Sequence, residues 1–333
     1  MKILVDYPMG IGRWRTFFTP ENIAFLESMG EVEWNYGMTN FTEDELRDKL
    51  ENVDILVAAW GLKKLEGKVL EKANKLKFVA YMAGSVNGIV SDEMYDRGIR
   101  IVGANDAFAE SVAEGALTMM LACQRRVKHF ERMMKETGYR PDHFENEGLF
   151  EKKIGIVGYG SIAMNLINML KPFRPEIYLY SRHMSEEDAA AIGCKKATLE
   201  EIFSECRIVS VHSAKSPANY HLITEEHLNM MEWDALLVNT ARGDIIDEKA
   251  LERVVETGRI RVALDVFEQE PPVMTSPFRF MRDDCLIQPH MGGPTMDHRA
   301  VCARIVFEDI QRWQKGEELE HEILPWRAAM MTH

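Results

Sequence analysis

Residues 153–170 read K-I-G-I-V-G-Y-G-S-I-A-M-N-L-I-N-M-L. The run from Lys153 to Val157 has strand character and leads straight into Gly158, and an apolar-periodic stretch with Ile162, Leu166 and Leu170 follows. The order is strand, glycine turn, helix. Gly158 permits the tight turn, Gly160 lets backbone approach a pyrophosphate with no Cβ in the way, and Ala163 is the third small residue where helix meets strand. The start of such a helix offers unpaired N–H groups and the positive end of its dipole to phosphate. A bare G-x-G-x-x-A pattern is weak, and a glycine turn without a ligand explains it equally well. These flanks give it weight, and the stretch predicts a dinucleotide site.

Towards the C-terminus the alternation continues, with predicted strands Glu176 to Tyr180, Ile208 to His212, Ala235 to Asn239, Val262 to Leu264 and Cys285 to Ile287. With Lys153 to Val157 this makes six parallel strands in a doubly wound sheet. Towards the N-terminus, predicted strands are Lys2 to Asp6, Val32 to Tyr36, Ile55 to Ala59, Phe78 to Tyr81 and Ile99 to Val102. Helices are expected from Pro20 to Met29, with Thr19 as cap before an N1 proline, and from Thr42 to Leu50, where Thr42 and Glu45 form a capping box. A long apolar-periodic helix, Asn105 to Arg126, leads out of this first unit. The segment Lys128 to Lys153 is polar, with Gly138, Pro141 and Gly148 as breakers, and predicts loop and short helix. A final helix, Met296 to Lys315, stops at Gly316 and is free to pack back on the first unit. The fold class is α/β, with two domains of Rossmann and flavodoxin-like type built on parallel sheets.

Composition narrows the function. The 333 residues carry 53 acidic and 40 basic side chains, a formal charge of −13, and 46% hydrophobic content, enough for a full core. The acidic balance, with no basic stripe, argues against nucleic acid as a partner. The longest apolar stretch, Ile55 to Trp60, is far too short for a membrane span, so no membrane association is expected. Five scattered cysteines without a C-x-x-C pair suit a reducing compartment, which reads as cytoplasmic. The 21 methionines read as core filler.

The tip of the second strand of the dinucleotide unit tells one cofactor from another. A carboxylate normally sits there to take the ribose 2′-hydroxyl. This chain has Tyr180, Ser181, Arg182 and His183 instead. A hydroxyl beside an arginine suits a 2′-phosphate, so Ser181 and Arg182 favour NADP(H), with NAD(H) as the alternative.

Three further segments end successive strands of the second unit: N-T-A-R-G-D-I-I-D at 239–247, A-L-D-V-F-E-Q-E-P at 263–271 and Q-P-H-M-G-G-P-T at 288–295. In kind and order they resemble the D-isomer-specific 2-hydroxyacid dehydrogenase family, glyoxylate and hydroxypyruvate reductases among them, and the resemblance spans essentially the whole chain. It implies an oxidoreductase that moves a hydride between NAD(P)H and a small 2-oxo acid, giving a D-2-hydroxy acid in a cleft between the domains. It assigns residues 1–104 with 297–333 to substrate binding and 105–296 to the dinucleotide. Arg242 then binds the substrate carboxylate and polarises the 2-oxo group, His290 gives the proton and Glu270 is its partner. Those chemistries fit: a guanidinium is a planar fork for a 2-oxo acid, and a carboxylate beside an imidazole favours its protonated form.

The resemblance also places Ser161 and Ile162 at the pyrophosphate, Asp265 near the nicotinamide, and Thr240 and His212 along the cofactor. Ala214 stands where the family usually has proline, which leaves that loop's path open. In A-G-S-V-N-G at 83–88, the backbone N–H groups of Ser85 and Val86 would form an anion nest for the substrate carboxylate. The family often has Gly at Ser85 and Asp at Asn87, so the substrate is open. Trp60 borders the substrate side chain or serves as a core aromatic. A homodimer built mainly on Asn105 to Gly148 is implied.

Taken singly, Arg242, Glu270 and His290 read as ordinary loop residues; their conjunction in one strand order carries the chemistry. A non-catalytic, nucleotide-sensing scaffold of the corepressor type is the rival reading. Formate dehydrogenases lack the acidic partner, so Glu270 argues against them. His129, His143, His183, His221, His227, His298, His321 and His333 share no ligand spacing, and no metal is expected.

Overall fold

The computed structural model describes residues 1–139, 145–280 and 282–331. Pro141, His143 and His333 lie outside them. The chain packs as two compact units, Met1–Phe108 with Pro294–His333, and Ala109–Gly293.

In the first unit five short strands, β1 (Lys2–Asp6), β2 (Glu31–Trp34), β3 (Ile55–Ala58), β4 (Phe78–Tyr81) and β5 (Arg100–Gly103), form a parallel sheet in the order β2-β1-β3-β4-β5. β3 and β4 are buried along their whole length, as expected of strands covered on both faces by helices. Helix Pro20–Glu27 starts where Thr19 accepts the Asn22 N–H, and helix Glu43–Lys49 starts at the Thr42/Glu45 capping box. The helix His298–Lys315 belongs to this unit, burying Cys302, Ala303, Val306, Phe307 and Ile310 in its core, and Gly316 ends it with φ +73°.

The second unit holds seven parallel strands: β6 (Lys153–Val157), β7 (Glu176–Tyr180), β8 (Cys194–Lys196), β9 (Ile208–Val211), β10 (Leu236–Asn239), β11 (Arg261–Leu264) and β12 (Leu286–Ile287). Their order is β12-β11-β10-β9-β6-β7-β8, so the crossover direction reverses between β6 and β9. Ligands of doubly wound sheets bind beyond the strand ends at such a switch point. Alternate residues feed two cores: Leu237 packs on one face with Val209, Val262 and Leu264, while Leu236 and Val238 pack on the other with Ile154, Ile156 and Ala263.

Two expectations need correction. The second sheet has seven strands rather than six, because Cys194–Lys196 adds an edge strand. Only Cys194 of it is buried, so it carries too little apolar pattern to be seen. The helix expected after Lys128 runs over Val127–Thr137 and is eleven residues long rather than short. It buries no residue in its own chain, so sequence periodicity had no core to report on.

Candidate active site

All the candidate residues of the second unit sit at the C-terminal ends of its strands. After β6, Gly158 has φ +97°, and a Cβ there would lie 2.6 Å from the Ser213 backbone nitrogen. Only glycine fits both constraints. Gly160 is the N-cap of helix Ser161–Leu170; no side chain caps that helix, and a Cβ on Gly160 would meet open space. The open backbone, with Ser161 and Ile162 in the first turn, fits a pyrophosphate. Ala163 is fully buried against the sheet.

Beyond β9, the His212 N–H donates to Val157 O at 2.8 Å, and the His212 Nε2 is hydrogen-bonded to Ser210 Oγ at 2.8 Å. Packing pushes this imidazole down to about 4, so it lines the loop as a neutral group. Ser210 escaped the sequence reading, although its i−2 spacing puts it on the same strand face as His212. At the tip of β7, Ser181 is half-buried and Arg182 is exposed, its guanidinium donating to Asn219 Oδ1 at 2.7 Å.

The loop after β10 is shaped by Asn239, which is buried and accepts the Ala241 N–H at 3.0 Å while donating to Arg242 O at 2.9 Å. Arg242 Nη1 donates back to Ala241 O at 2.7 Å. Burial draws this guanidinium below its usual range, against the opposing charges of Glu270 and Asp244. Among the described residues Thr240 Oγ1 is buried with no partner, the kind of orphan that a bound amide would satisfy.

Asp265, just beyond β11, is the brace of the remaining loop. Its backbone oxygen accepts the His290 N–H at 2.8 Å, and its carboxylate takes the Met291 N–H at 2.6 Å and the Gly292 N–H at 2.7 Å. Burial raises its pKa, and those two N–H groups oppose the rise. The brace holds His290 in a left-handed conformation, φ +53°, one that a non-glycine residue keeps only under such support. Glu270 Oε1 then accepts the Phe267 N–H at 3.0 Å, and Oε2 lies 2.7 Å from His290 Nδ1. The structure thus joins Glu270 to His290 directly and sets Arg242 within reach of the Glu270 charge.

In the first unit, Val86 is buried and the Asn87 side chain donates to Met331 O at 2.8 Å, which fixes the turn that carries Ser85. Gly84 packs against the Phe108 ring. Trp60 stands edge-on to Phe17 and Phe108, with centroids at 5.5 and 5.8 Å, as part of an aromatic cluster.

A cavity of about 860 Å³ opens at the opposite end of the strands of the second sheet, lined by Gln124, Arg126, Arg207, Asp234 and Arg261 among others. It lies at the strand starts, away from these loops, and its arginines are taken up by Asp234, Glu147 and Asp284. Among the described residues no group of three or more His, Cys, Asp or Glu is placed to hold a metal ion, and no helix is long and apolar enough to cross a membrane.

Comparison with known proteins bears on this geometry. The family described as D-isomer specific 2-hydroxyacid dehydrogenase, NAD binding domain, matches residues 117–292. The chain is 33% identical over 325 residues to the D-3-phosphoglycerate dehydrogenase of Methanocaldococcus jannaschii, covering 97% of this chain and 59% of that protein. It is 31% identical over 307 residues to the glyoxylate reductase of Thermococcus litoralis, covering 90% of this chain and 92% of that one. Solved structures of similar fold include a D-2-hydroxyisocaproate dehydrogenase, with TM-score 0.80 at 19% identity over 97% of this chain and 99% of that one. Another is an acyclic imino acid reductase in complex with NADPH and D-Arg, with TM-score 0.78 at 21% identity over 97% of this chain and all of that one. The corepressor reading finds no support among these relatives. With a glycine turn at the switch point and a braced histidine–glutamate pair beyond β11 and β12, the chain belongs to the D-isomer-specific 2-hydroxyacid dehydrogenases, nicotinamide-dependent oxidoreductases of 2-hydroxy acids.

Proposed function

We propose that this protein reduces a small 2-oxo acid to the D-2-hydroxy acid, or runs the reverse reaction, with NADP(H) preferred over NAD(H). The observation that carries the reading is the Glu270–His290 hydrogen bond on a turn braced by Asp265. With Nδ1 held by Glu270, the Nε2 edge of His290 is left for the substrate oxygen. Arg242 binds the carboxylate and draws electron density from the 2-oxo group; His290 delivers a proton to that oxygen as C2 becomes a carbinol carbon. In the reverse direction the neutral imidazole takes the hydroxyl proton. The nicotinamide, when bound, supplies or accepts the hydride.

Gly158, Gly160, Ser161 and Ile162 receive the pyrophosphate; His212, Thr240 and Asp265 border the cofactor; Ser181 and Arg182 take the adenosine ribose. The absence of a carboxylate at the β7 tip favours the 2′-phosphate. The backbone of Ser85 and Val86, in the substrate domain, is the further carboxylate anchor. Helix Val127–Thr137 buries nothing in its own chain and exposes Val127 and Met134, which supports a homodimer through this segment. Five scattered, buried cysteines with no C-x-x-C pair favour the reducing cytoplasm.

Initial rates with glyoxylate, hydroxypyruvate, pyruvate and bulkier 2-oxo acids, each with NADPH and NADH, test this reading. A D-2-hydroxy acid product from at least one of them, formed faster with NADPH, is expected. Turnover at background with all of them would overturn it, and mass measurement in solution tests the dimer.

A further inference from the structure

The tips of β7 and β9 flank β6 in the sheet, so they stand on either side of the glycine turn at the switch point. One side-chain pair bridges them. Arg182 Nη2, from the β7 tip, donates to Asn219 Oδ1 at 2.7 Å, and Nη1 makes a longer contact of 3.5 Å with Ala218 O, both in the loop after β9. Asn219 is itself only 8% exposed, and its Nδ2 donates to Ala214 O at 2.6 Å. That donation fixes which way round the amide sits, with its oxygen towards the arginine.

Both acceptors of Arg182 are neutral amide oxygens. Among the described residues no carboxylate pairs with this guanidinium, although Lys215, in the loop that carries Asn219, is paired with Asp244 at 2.7 Å. A guanidinium held by neutral acceptors keeps its charge and is already ordered, so an arriving phosphate finds both the charge and the geometry in place. A carboxylate at the same position would give the same geometry and consume the charge.

We infer that Asn219 is a positioning residue for cofactor choice: it holds the Arg182 guanidinium beside the adenosine ribose without neutralising it, leaving its charge to a 2′-phosphate. The inference rests on the NADP(H) preference proposed above and names a residue, outside the strand tip, on which that preference depends. Asn219→Asp, nearly equal in size, becomes the decisive substitution, because it leaves Arg182 in the chain and removes only its availability.

The test is binding to the full chain without substrate, read as dissociation constants for NADPH and NADH by nicotinamide fluorescence, since the two differ only at the 2′ position. The wild-type chain is expected to bind NADPH more tightly, and Asn219→Asp to cut the NADPH-over-NADH ratio by about tenfold while NADH affinity holds within about twofold. Asn219→Ala, which loosens Arg182 without neutralising it, should cut the ratio less, by about threefold. In an Arg182→Met background, Asn219→Asp should change the ratio no further. A wild-type chain with no NADPH preference overturns the NADP(H) reading and this inference together. A wild-type preference that survives in Asn219→Asp, or equal weakening of both cofactors, overturns the role of Asn219 alone.

Discussion

Glu270 Oε2 lies 2.7 Å from His290 Nδ1, and the other oxygen of that carboxylate accepts the Phe267 N–H at 3.0 Å, so one side chain ties the imidazole to the loop backbone. A histidine oriented in this way presents a single nitrogen to its substrate. His290→Ala should lower kcat on the order of 10²- to 10⁴-fold. Glu270→Gln retains the bulk and the bond to Phe267 but replaces the carboxylate oxygen that orients the imidazole through Nδ1, so kcat should fall about ten- to a hundredfold with KM little changed. Steady-state kinetics on the best 2-oxo acid checks both; wild-type kcat in Glu270→Gln would remove the carboxylate from the mechanism.

Gly243 follows Arg242, and a Cβ there would lie 2.0 Å from the Phe267 carbonyl carbon and 2.1 Å from the Glu268 nitrogen. Both are backbone atoms and neither can swing aside. Gly243→Ala must therefore push the Arg242 loop off the loop that carries Glu270. The expected result is a loss of about 10²-fold in kcat/KM, with cofactor affinity less affected because the glycine turn after β6 is elsewhere. Unaltered kcat/KM in this variant would mean that the close packing of these two loops has no part in placing Arg242.

How much of this was legible in the sequence depended on which residues a feature needed. β1, β4, β6 and β7 have the predicted limits because each is a short apolar run that begins at or directly after a charged residue. The 158–163 turn was readable for the same reason: every constraint on it is local. The short edge strand Cys194–Lys196 and the full length of the helix Val127–Thr137 were hidden because neither buries an apolar face of useful length. Glu270 and His290 were found as motif positions, but the brace that Asp265 gives His290 joins residues 25 or more apart and follows only from strand order. The Arg182–Asn219 bridge was invisible for a related reason, since it crosses between two strands that are not neighbours in the sheet.

Arg261, at the start of β11, is 1% exposed and donates to Cys123 O at 2.8 Å, to Gln124 Oε1 at 2.6 Å and to Asp234 O at 3.0 Å. One of these acceptors, Cys123 O, belongs to the last turn of helix Asn105–Gln124 and also accepts the Arg126 N–H at 3.0 Å, while Gln124 Oε1 and Asp234 O are held by Arg261. Arg261→Met fills the space and takes the donor away from Gln124 Oε1 and Asp234 O, while Cys123 O keeps the Arg126 N–H. A loss of stability of about 3–5 kcal/mol is expected in denaturant unfolding. Cofactor affinity of the folded fraction should be unchanged, since Arg261 lies at the opposite end of its strand from Asp265. A variant as stable as the wild type would show that water or a neighbour replaces the lost donors.

Asp6 ends β1 with no exposed surface; its Oδ1 accepts the Phe41 N–H at 2.9 Å and its Oδ2 is buried without a partner. Burial raises its pKa to about 6 from an ordinary 3.8, with the Phe41 N–H, Asn35, Asn40 and the charge of Lys63 all opposing the rise. Between those two values the folded chain holds a proton that the unfolded chain has released, so folding is favoured by acid, and stability falls as pH rises through about 4 to 6. The charged form in place above pH 6 costs about 3 kcal/mol. Asp6→Asn can keep the acceptor for Phe41 and cannot ionise. Its melting temperature should therefore gain on the wild type as pH rises from 4 to 7, the difference levelling off above about 6. Comparing the two chains at each pH cancels every other carboxylate that titrates in the window. A melting-temperature difference that stays constant from pH 4 to 7 would mean that Asp6 ionises as freely in the folded chain as in the unfolded one.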